Sequence, residues 1–358
     1  MQSEDKISVF LNGTLTKTSG APGCFEVETA TESGSTQTET FGAVIMASGY
    51  EPYDPIQLPE LGFGASADVV DQLTLEDLAR EADGGPIKRP SDGKAVESVV
   101  FVQCAGQRSD KEGQLSYCSG HCCLTSIKQA RYFKDTHPEV DTTILYTDLR
   151  TPGSGGEDFY RAGQDKGVTF TKGVVSDVRP EDTGLAVEFQ DLILDEPGRI
   201  DADLVVLATG QVPNSGVDIE AQLQATALAD DGEEAEVPEI EIKSADSILK
   251  LNYRQGPDLP QLKHGFNDSH FICFPYESRR TGIYPAGPVR RPMDLAQAKE
   301  DATGAALKAI QAVENAALGR AAHPRSGDLS FPSFRKEGCT QCKRCTVECP
   351  FGAIDEDE

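Results

Sequence analysis

Hydrophobic positions along the chain fall into short blocks whose spacing predicts alternating strands and helices. Ile7-Ser8-Val9-Phe10-Leu11 is apolar and rich in β-formers, and Cys24-Phe25-Glu26-Val27-Glu28 alternates, so both predict strands. Residues 42–50 predict a buried strand running into a glycine turn, and a loop-rich stretch with one helix over 74–81 follows. Val99-Val100-Phe101-Val102-Gln103 is an unbroken apolar run ending at Cys104, the pattern of a parallel strand covered on both faces. Cys123, Ile127, Ala130 and Phe133 then recur at helical spacing. A strand over 142–146, a helix over 158–166, a strand over 168–170 and short alternating segments lead to the apolar strand Asp203-Leu204-Val205-Val206-Leu207-Ala208-Thr209-Gly210. This β-α-β-α-β order predicts an α/β fold with a doubly wound parallel sheet.

Residues 211–270 are irregular and acidic; His270-Phe271-Ile272-Cys273-Phe274 predicts a strand, and Gly282-Ile283-Tyr284-Pro285-Ala286-Gly287 another strand and glycine turn. Asp294 is placed to cap a long helix carrying Leu295, Ala298, Ala302, Ala305, Ala309 and Val313 on one face and ending at Gly319. The composition of 319–332 is that of a linker, and a cysteine-rich segment follows.

Composition narrows the chemistry. The chain has 358 residues and a formal net charge of −26, which disfavours nucleic acid or an anionic membrane surface as main partner. Two acidic runs, at 230–236 and 355–358, read as solvated loop or as a docking surface for a basic partner. No apolar stretch reaches the ~18–20 residues needed to span a bilayer, and the polar, acidic start is no signal peptide. Eight of the ten cysteines lie in two groups, with Cys24 and Cys273 apart. Such clustering, without an export signal, points to metal or redox chemistry rather than structural disulfides.

Cys339, Cys342, Cys345 and Cys349, followed by Pro350, have the spacing of a bacterial ferredoxin run, C-x2-C-x2-C-x3-C-P. Three cysteines two residues apart wrap a tight loop round one cubane, each thiolate reaching its own iron. Zinc also takes four thiolates, but zinc ribbons use two separated pairs. In two-cluster ferredoxins the fourth cysteine ligates the other cluster. Either the quartet is a single-cluster module, or the sequence is cut short and Cys349 serves a cluster whose remaining ligands lie beyond residue 358; the second is the expectation.

Cys104, Cys118, Cys122 and Cys123 form C-x13-C-x3-C-C, which is not a ferredoxin spacing. It reads either as a second cluster site at a helix start or as buried cysteines with one redox disulfide. The group occupies the first strand–loop–helix turn of the α/β unit, where a dinucleotide-binding fold carries G-x-G-x-x-G, and that motif is absent here. Ala47-Ser48-Gly49, Ala208-Thr209-Gly210 and Tyr284-Pro285-Ala286-Gly287 each follow an apolar strand. Together they resemble the turns of two-dinucleotide-domain flavoproteins of the thioredoxin-reductase type. The last of them and the helix after Asp294 would turn N–H groups and a positive helix end toward a flavin.

The stretch from Phe101-Val102-Gln103-Cys104-Ala105-Gly106 through Tyr117-Cys118-Ser119-Gly120-His121-Cys122-Cys123 to Ile127-Lys128 resembles the flavin-bearing A subunits of heterodisulfide reductases, as does Leu145-Tyr146-Thr147-Asp148-Leu149-Arg150-Thr151. The phrase Gly287-Pro288-Val289-Arg290-Arg291-Pro292-Met293-Asp294 and the ferredoxin segment resemble most the related B subunits of quinone-interacting membrane-bound oxidoreductase complexes of sulfate reducers. The resemblance covers nearly the whole chain. It implies [4Fe–4S] clusters at both cysteine groups and FAD in the full-length subunit. It also implies a catalytic lysine, Lys128, near the reactive flavin nitrogen, and flavin contacts from Ala47, Ser48, Gly49, Thr209, Gly210, Ala286, Gly287 and Asp294. The implied domains are a partial FAD-binding domain over 1–95, a Rossmann-like domain with inserted cysteines over 96–210, a return to the FAD domain over 211–318, a linker over 319–332 and a ferredoxin-type segment over 333–358.

Family members begin with a β-α-β unit bearing G-x-G-x-x-G and continue past the first ferredoxin quartet, so the sequence is expected to be an internal piece of a longer subunit. The implied activity is electron transfer between a membrane quinone pool and adenylylsulfate reductase in dissimilatory sulfate reduction. The implied partners are the other subunits of the complex, with a cytoplasmic location peripheral to the membrane. The alternatives are an NAD(P)H-dependent disulfide-type reductase using Cys122 and Cys123, and a scaffold held together by metal. His121, beside Cys122, reads as a supporting or structural histidine.

Overall fold

The computed structural model describes residues 6–31, 34–111, 113–215, 262–267, 269 and 275–323. The expected strand at His270 to Phe274, the acidic run at 230–236, the linker beyond 323 and the quartet Cys339, Cys342, Cys345 and Cys349 lie outside them. The chain forms two compact units.

In the first unit, β1 (Gly13–Ala21), β2 (Cys24–Thr31) and β3 (Thr36–Phe41) make an antiparallel sheet in that order. Phe25 and Val27, alternating along β2, bury one face. The expected strand at Ile7 to Leu11 is not formed. These side chains stay exposed, and the first strand is the more polar segment after them, held by register pairing with β2 rather than by apolar burial. The strand expected over 42–50 is short, β4 (Val44–Met46), with only Met46 buried, and Gly49 makes its turn at φ +76°.

The second unit spans Tyr50–Val212 with Pro292–Asp294. Its elements are β5 (Tyr50–Pro52), β6 (Val69–Asp71), α1 (Gln72–Ala82), β7 (Ser98–Ala105), α2 (Cys122–Thr136), β8 (Asp141–Tyr146), α3 (Gly156–Asp165), β9 (Thr169–Glu181), β10 (Gly184–Asp191), β11 (Pro197–Ala202), β12 (Leu204–Thr209) and β13 (Gln211–Pro213). Seven of the strands form one sheet, in the order β11-β10-β9-β8-β7-β12-β6. Pairing is parallel from β9 through β8, β7 and β12 to β6, as the apolar runs predict. The segments after residue 170 depart from the all-parallel expectation. β9 runs on for 13 residues and folds back through β10 and β11 as antiparallel hairpins. The unit also begins before residue 96, because β6 and α1 belong to its sheet and its core.

The core has two layers. Val99 and Phe101 face Ile127, Ala130 and Phe133 of α2, while Val100 and Val102 face the other side with Leu115 and Leu207. Each fully buried Leu, Ile or Phe contributes roughly 1.5–3 kcal/mol, so β7 and β12 are pinned from both faces. Asp71 starts α1 by accepting the Thr74 N–H at 2.7 Å.

The chain then returns to the first unit with β14 (Ile283–Pro285), parallel to β4, and α4 (Leu295–Ala317), which starts directly after Asp294. The inward face of α4 is Asp301, Ala305, Ala309 and Ala312. Ala305 and Ala309 were expected there, but Leu295 and Val313 are exposed at 87% and 42%, and Ala302 is exposed too. The helix is turned by a buried charge: Asp301 pairs with Arg290 and accepts the Gly287 N–H at 2.8 Å.

Candidate metal centre at the switch point of the sheet

The direction of winding reverses between β7 and β12: β8 and β9 lie on one side of β7, and β12 and β6 on the other. In open α/β sheets such a switch point opens a crevice at the carboxyl ends of the strands. The mid-chain cysteines gather here. Cys104 is the seventh residue of β7, and Cys122 and Cys123 open α2, which returns over that strand. The pairing of β7 with β12 slips between Leu207 and Thr209, so β7 carries an extra residue at this end, and Cys104 takes φ +57°. A bulge of this kind re-aims side chains. Gly106 follows at φ +71°, and a Cβ there would stand 2.5 Å from the Tyr53 ring, so the loop requires glycine.

Gln107 ties the turn together. Its Nε2 donates to the Ala208 carbonyl at 3.2 Å and lies 3.4 Å from Cys122 Sγ, and its Oε1 accepts the Ser119 N–H at 3.1 Å. The Cys122 thiol donates to the Thr209 carbonyl at 3.3 Å. Ser119 Oγ accepts the Gln211 N–H at 2.8 Å, and the Tyr117 hydroxyl donates to the Gln211 carbonyl at 2.6 Å. Beneath α2, buried Gln72 donates to the Cys122 carbonyl at 3.2 Å and to Ser126 Oγ at 2.9 Å. The turn Ala208-Thr209-Gly210 therefore meets the cysteine group directly. A Cβ on Gly210 would stand 2.6 Å from the Gln107 side chain, so glycine there makes room for Gln107.

The four thiols act on one another electrostatically. Burial pushes the Cys122 thiol up to about 12; the Gln107 hydrogen bond opposes this, and Cys123, Cys104 and Cys118 reinforce it. Cys123 rises to about 11, again chiefly by burial, against a hydrogen bond from the Arg150 backbone. Cys104 is raised by burial and lowered by Arg108. Arg108 is held by Asp148 at 2.6 Å and Thr147 at 3.3 Å, which gives the segment 145–151 its place at the site. Burial lowers the His121 imidazole below its ordinary value, and its Nδ1 lies 3.9 Å from Cys122 Sγ. All five described cysteines are free thiols, so Cys122 and Cys123 are not joined to each other. No group of three or more ligands among the described residues closes on a single metal ion.

The remaining candidate residues make contacts of their own. Lys128 sits on α2 and pairs with Glu76 at 2.9 Å, its ammonium 5.5 Å from the centre of the Tyr132 ring. Burial alone would raise the Glu76 carboxyl, but hydrogen bonds from Lys128, Gln129 and Tyr132 hold it below its ordinary value. Ala47, Ser48 and Gly49 follow β4, and the Ser48 hydroxyl donates to the Asn214 carbonyl. Ala286 and Gly287 follow β14, and their N–H groups are taken by the Met46 carbonyl and by Asp301. Gln107, Gln72, Ser119, Arg108 and Asp301 carry no motif. The only trace of Gln107 in the sequence is its place within Gln103-Cys104-Ala105-Gly106-Gln107.

Residues 332–355 match the 4Fe-4S binding domain model, which covers all four cysteines of the C-terminal quartet. Among curated proteins, the chain is 32% identical over 326 residues to the A subunit of the H(2):CoB-CoM heterodisulfide,ferredoxin reductase of Methanothermobacter marburgensis, a match covering 88% of this chain and 43% of that protein. It is 31% identical to the iron-sulfur A subunit of the CoB–CoM heterodisulfide reductase of Methanocaldococcus jannaschii, covering 87% and 42%. The chain thus spans less than half the length of these relatives. Among solved structures, the thioredoxin reductase of T. acidophilum aligns at 15% identity with a TM-score of 0.47, covering 86% of this chain and 74% of that one. Over nearly nine-tenths of its length, the chain is similar to the A subunits of heterodisulfide reductases, and it carries a 4Fe-4S binding domain near its C-terminus.

Proposed function

We propose that the chain is the cluster-bearing part of a flavin- and iron–sulfur-dependent electron-transfer subunit, with one [4Fe–4S] cluster at Cys104, Cys118, Cys122 and Cys123 and another served by Cys339, Cys342 and Cys345. The reading is carried by the meeting of Cys104, near the end of β7, with buried Cys122 and Cys123, at the start of α2, at the switch point, where a dinucleotide fold binds pyrophosphate. The donor set fits a cluster. Thiolates are its ligands, Gln107 and the Arg150 backbone donate toward sulfur, and Arg108 offsets negative charge.

The chain's own residues bury Cys122 and Cys123, hold the loop in left-handed turns at Cys104, Gly106 and Arg108, and anchor the start of α2 through Gln72. A flavin, when bound, supplies the exchange between electron pairs and single electrons. Ala47, Ser48, Gly49, Thr209, Gly210, Ala286, Gly287 and Asp294 are its proposed contacts, with Lys128 as the cation favouring the reduced form. The resemblance of residues 287–294 supports the physiological role: electron transfer between a membrane quinone pool, reached through partner subunits, and adenylylsulfate reductase, at the cytoplasmic face. No helix among the described residues is long and apolar enough to cross a membrane.

The test is anaerobic purification with iron, acid-labile sulfide and flavin quantified together, followed by electron transfer from reduced quinol analogue to adenylylsulfate reductase in the assembled complex. Loss of iron on Cys122→Ser supports the cluster assignment. Full cluster content without quinol-linked transfer would contradict the proposed electron donor and acceptor.

A further inference from the structure

Gln103 immediately precedes Cys104, is 8% exposed, and neither its Nε2 nor its Oε1 has a hydrogen-bond partner among the described residues. An amide buried without partners forfeits its hydrogen bonds to water, so both polar atoms of Gln103 call for a partner. Gln103 follows Phe101 by two residues on β7, next to the bulge, and Val99 and Phe101 pack on the face covered by α2. Since α2 runs back over β7, its first turn, with Cys122 and Cys123, lies over the strand end that holds Gln103. The bulge then turns the chain at Cys104. On the other side of the same loop, Gln107 already points its Nε2 at Cys122 Sγ.

We infer that Gln103 is a positioning residue for the mid-chain cluster, donating an amide N–H to a cluster sulfur and so raising the reduction potential, opposite the donor supplied by Gln107. This rests on the reading that Cys104, Cys118, Cys122 and Cys123 hold a cluster. Hydrogen bonds to sulfur stabilise the more negative, reduced cluster and are among the determinants of its potential. An apolar residue at position 103 would fill the same space without that effect.

The experiment is an EPR-monitored redox titration of the full-length subunit, purified anaerobically with its clusters, in native form and as Gln103→Leu and Gln103→Glu. The mid-chain signal is identified by its loss in Cys122→Ser. Both position-103 variants are expected to keep iron and sulfide and to shift the reduction equilibrium toward the oxidised cluster at least tenfold, which is 59 mV for a one-electron couple. Glutamate, with the same shape but no donor when ionised, shifts it further than leucine. An unchanged potential in a variant that keeps its cluster overturns the inference. If both variants lose the cluster, the native protein labelled with 15N in its glutamine side chains decides. Two glutamine couplings to the mid-chain signal are expected, and one alone overturns the inference. Absence of iron at these cysteines in the native subunit defeats the cluster reading itself, a different result from an unshifted potential.

Discussion

Gln107 Nε2 lies 3.4 Å from Cys122 Sγ, and the same side chain binds the Ala208 carbonyl and the Ser119 N–H. One amide therefore joins the carboxyl end of β12, the loop after β7 and the start of α2. Its position depends on Gly210, where a Cβ would meet it at 2.6 Å. Gly210→Ala is expected to cost about 1–3 kcal/mol by overpacking and to lower iron occupancy at the mid-chain cysteines. Urea denaturation and iron content check it, and full occupancy in this variant would show that Gln107 is not needed to hold the thiols.

The thiols predict a pH dependence. In the metal-free chain, burial lifts Cys122 to about 12 and Cys123 to about 11 from an ordinary 9.0. The folded state thus holds these protons more tightly than the unfolded one. The resulting stability is fully present below pH about 9 and is lost as pH rises through the folded values. Iron loading must remove the same protons, so reconstitution becomes more favourable over that range. Urea midpoints of the metal-free chain should fall with alkalinity, while cluster uptake should rise.

Lys128 makes an ion pair with Glu76, its side chain 51% exposed. An exposed pair of this kind is worth about 0.2–1 kcal/mol. Lys128→Met is therefore expected to leave folding almost unchanged. If Lys128 also faces the flavin, the same variant lowers the flavin midpoint potential in the full-length subunit, read by spectroelectrochemistry. A potential equal to that of the native protein would leave Lys128 as a partner of Glu76 alone.

Asp301 sits 3% exposed inside the first unit, paired with Arg290 and with the Gly287 N–H. Asp301→Asn strands the Arg290 charge, although the Tyr276 ring 5.1 Å away retains some of its stabilisation. The expected loss is about 3 kcal/mol, measured by thermal or urea unfolding. A loss below about 1 kcal/mol would place the pair among exposed ones in energetic terms.

Much of this architecture was legible in the hydrophobic pattern. The buried strands β7 and β12, the helix carrying Cys123, Ile127, Ala130 and Phe133, and the turn at Gly287 follow directly from it. The exceptions share a cause. β1 is polar and is stabilised by ladder pairing, so apolar patterning chose Ile7 to Leu11 instead. The face of α4 is set by the ion pair of Asp301, a tertiary contact that a count of alanines does not register. The cysteines of the site were visible as residue types, but Gln107, Gln72 and Arg108 became visible only once β7, β8 and β12 lay side by side.

Cys104, Cys118, Cys122 and Cys123 are proposed to hold a [4Fe–4S] cluster of their own. The direct measurement is iron and acid-labile sulfide per chain after anaerobic reconstitution, in the native sequence and with Cys122→Ser and Cys123→Ser combined. About eight irons in the native chain, falling to about four in the variant, is the predicted result for two [4Fe–4S] sites. About four irons in both would contradict it.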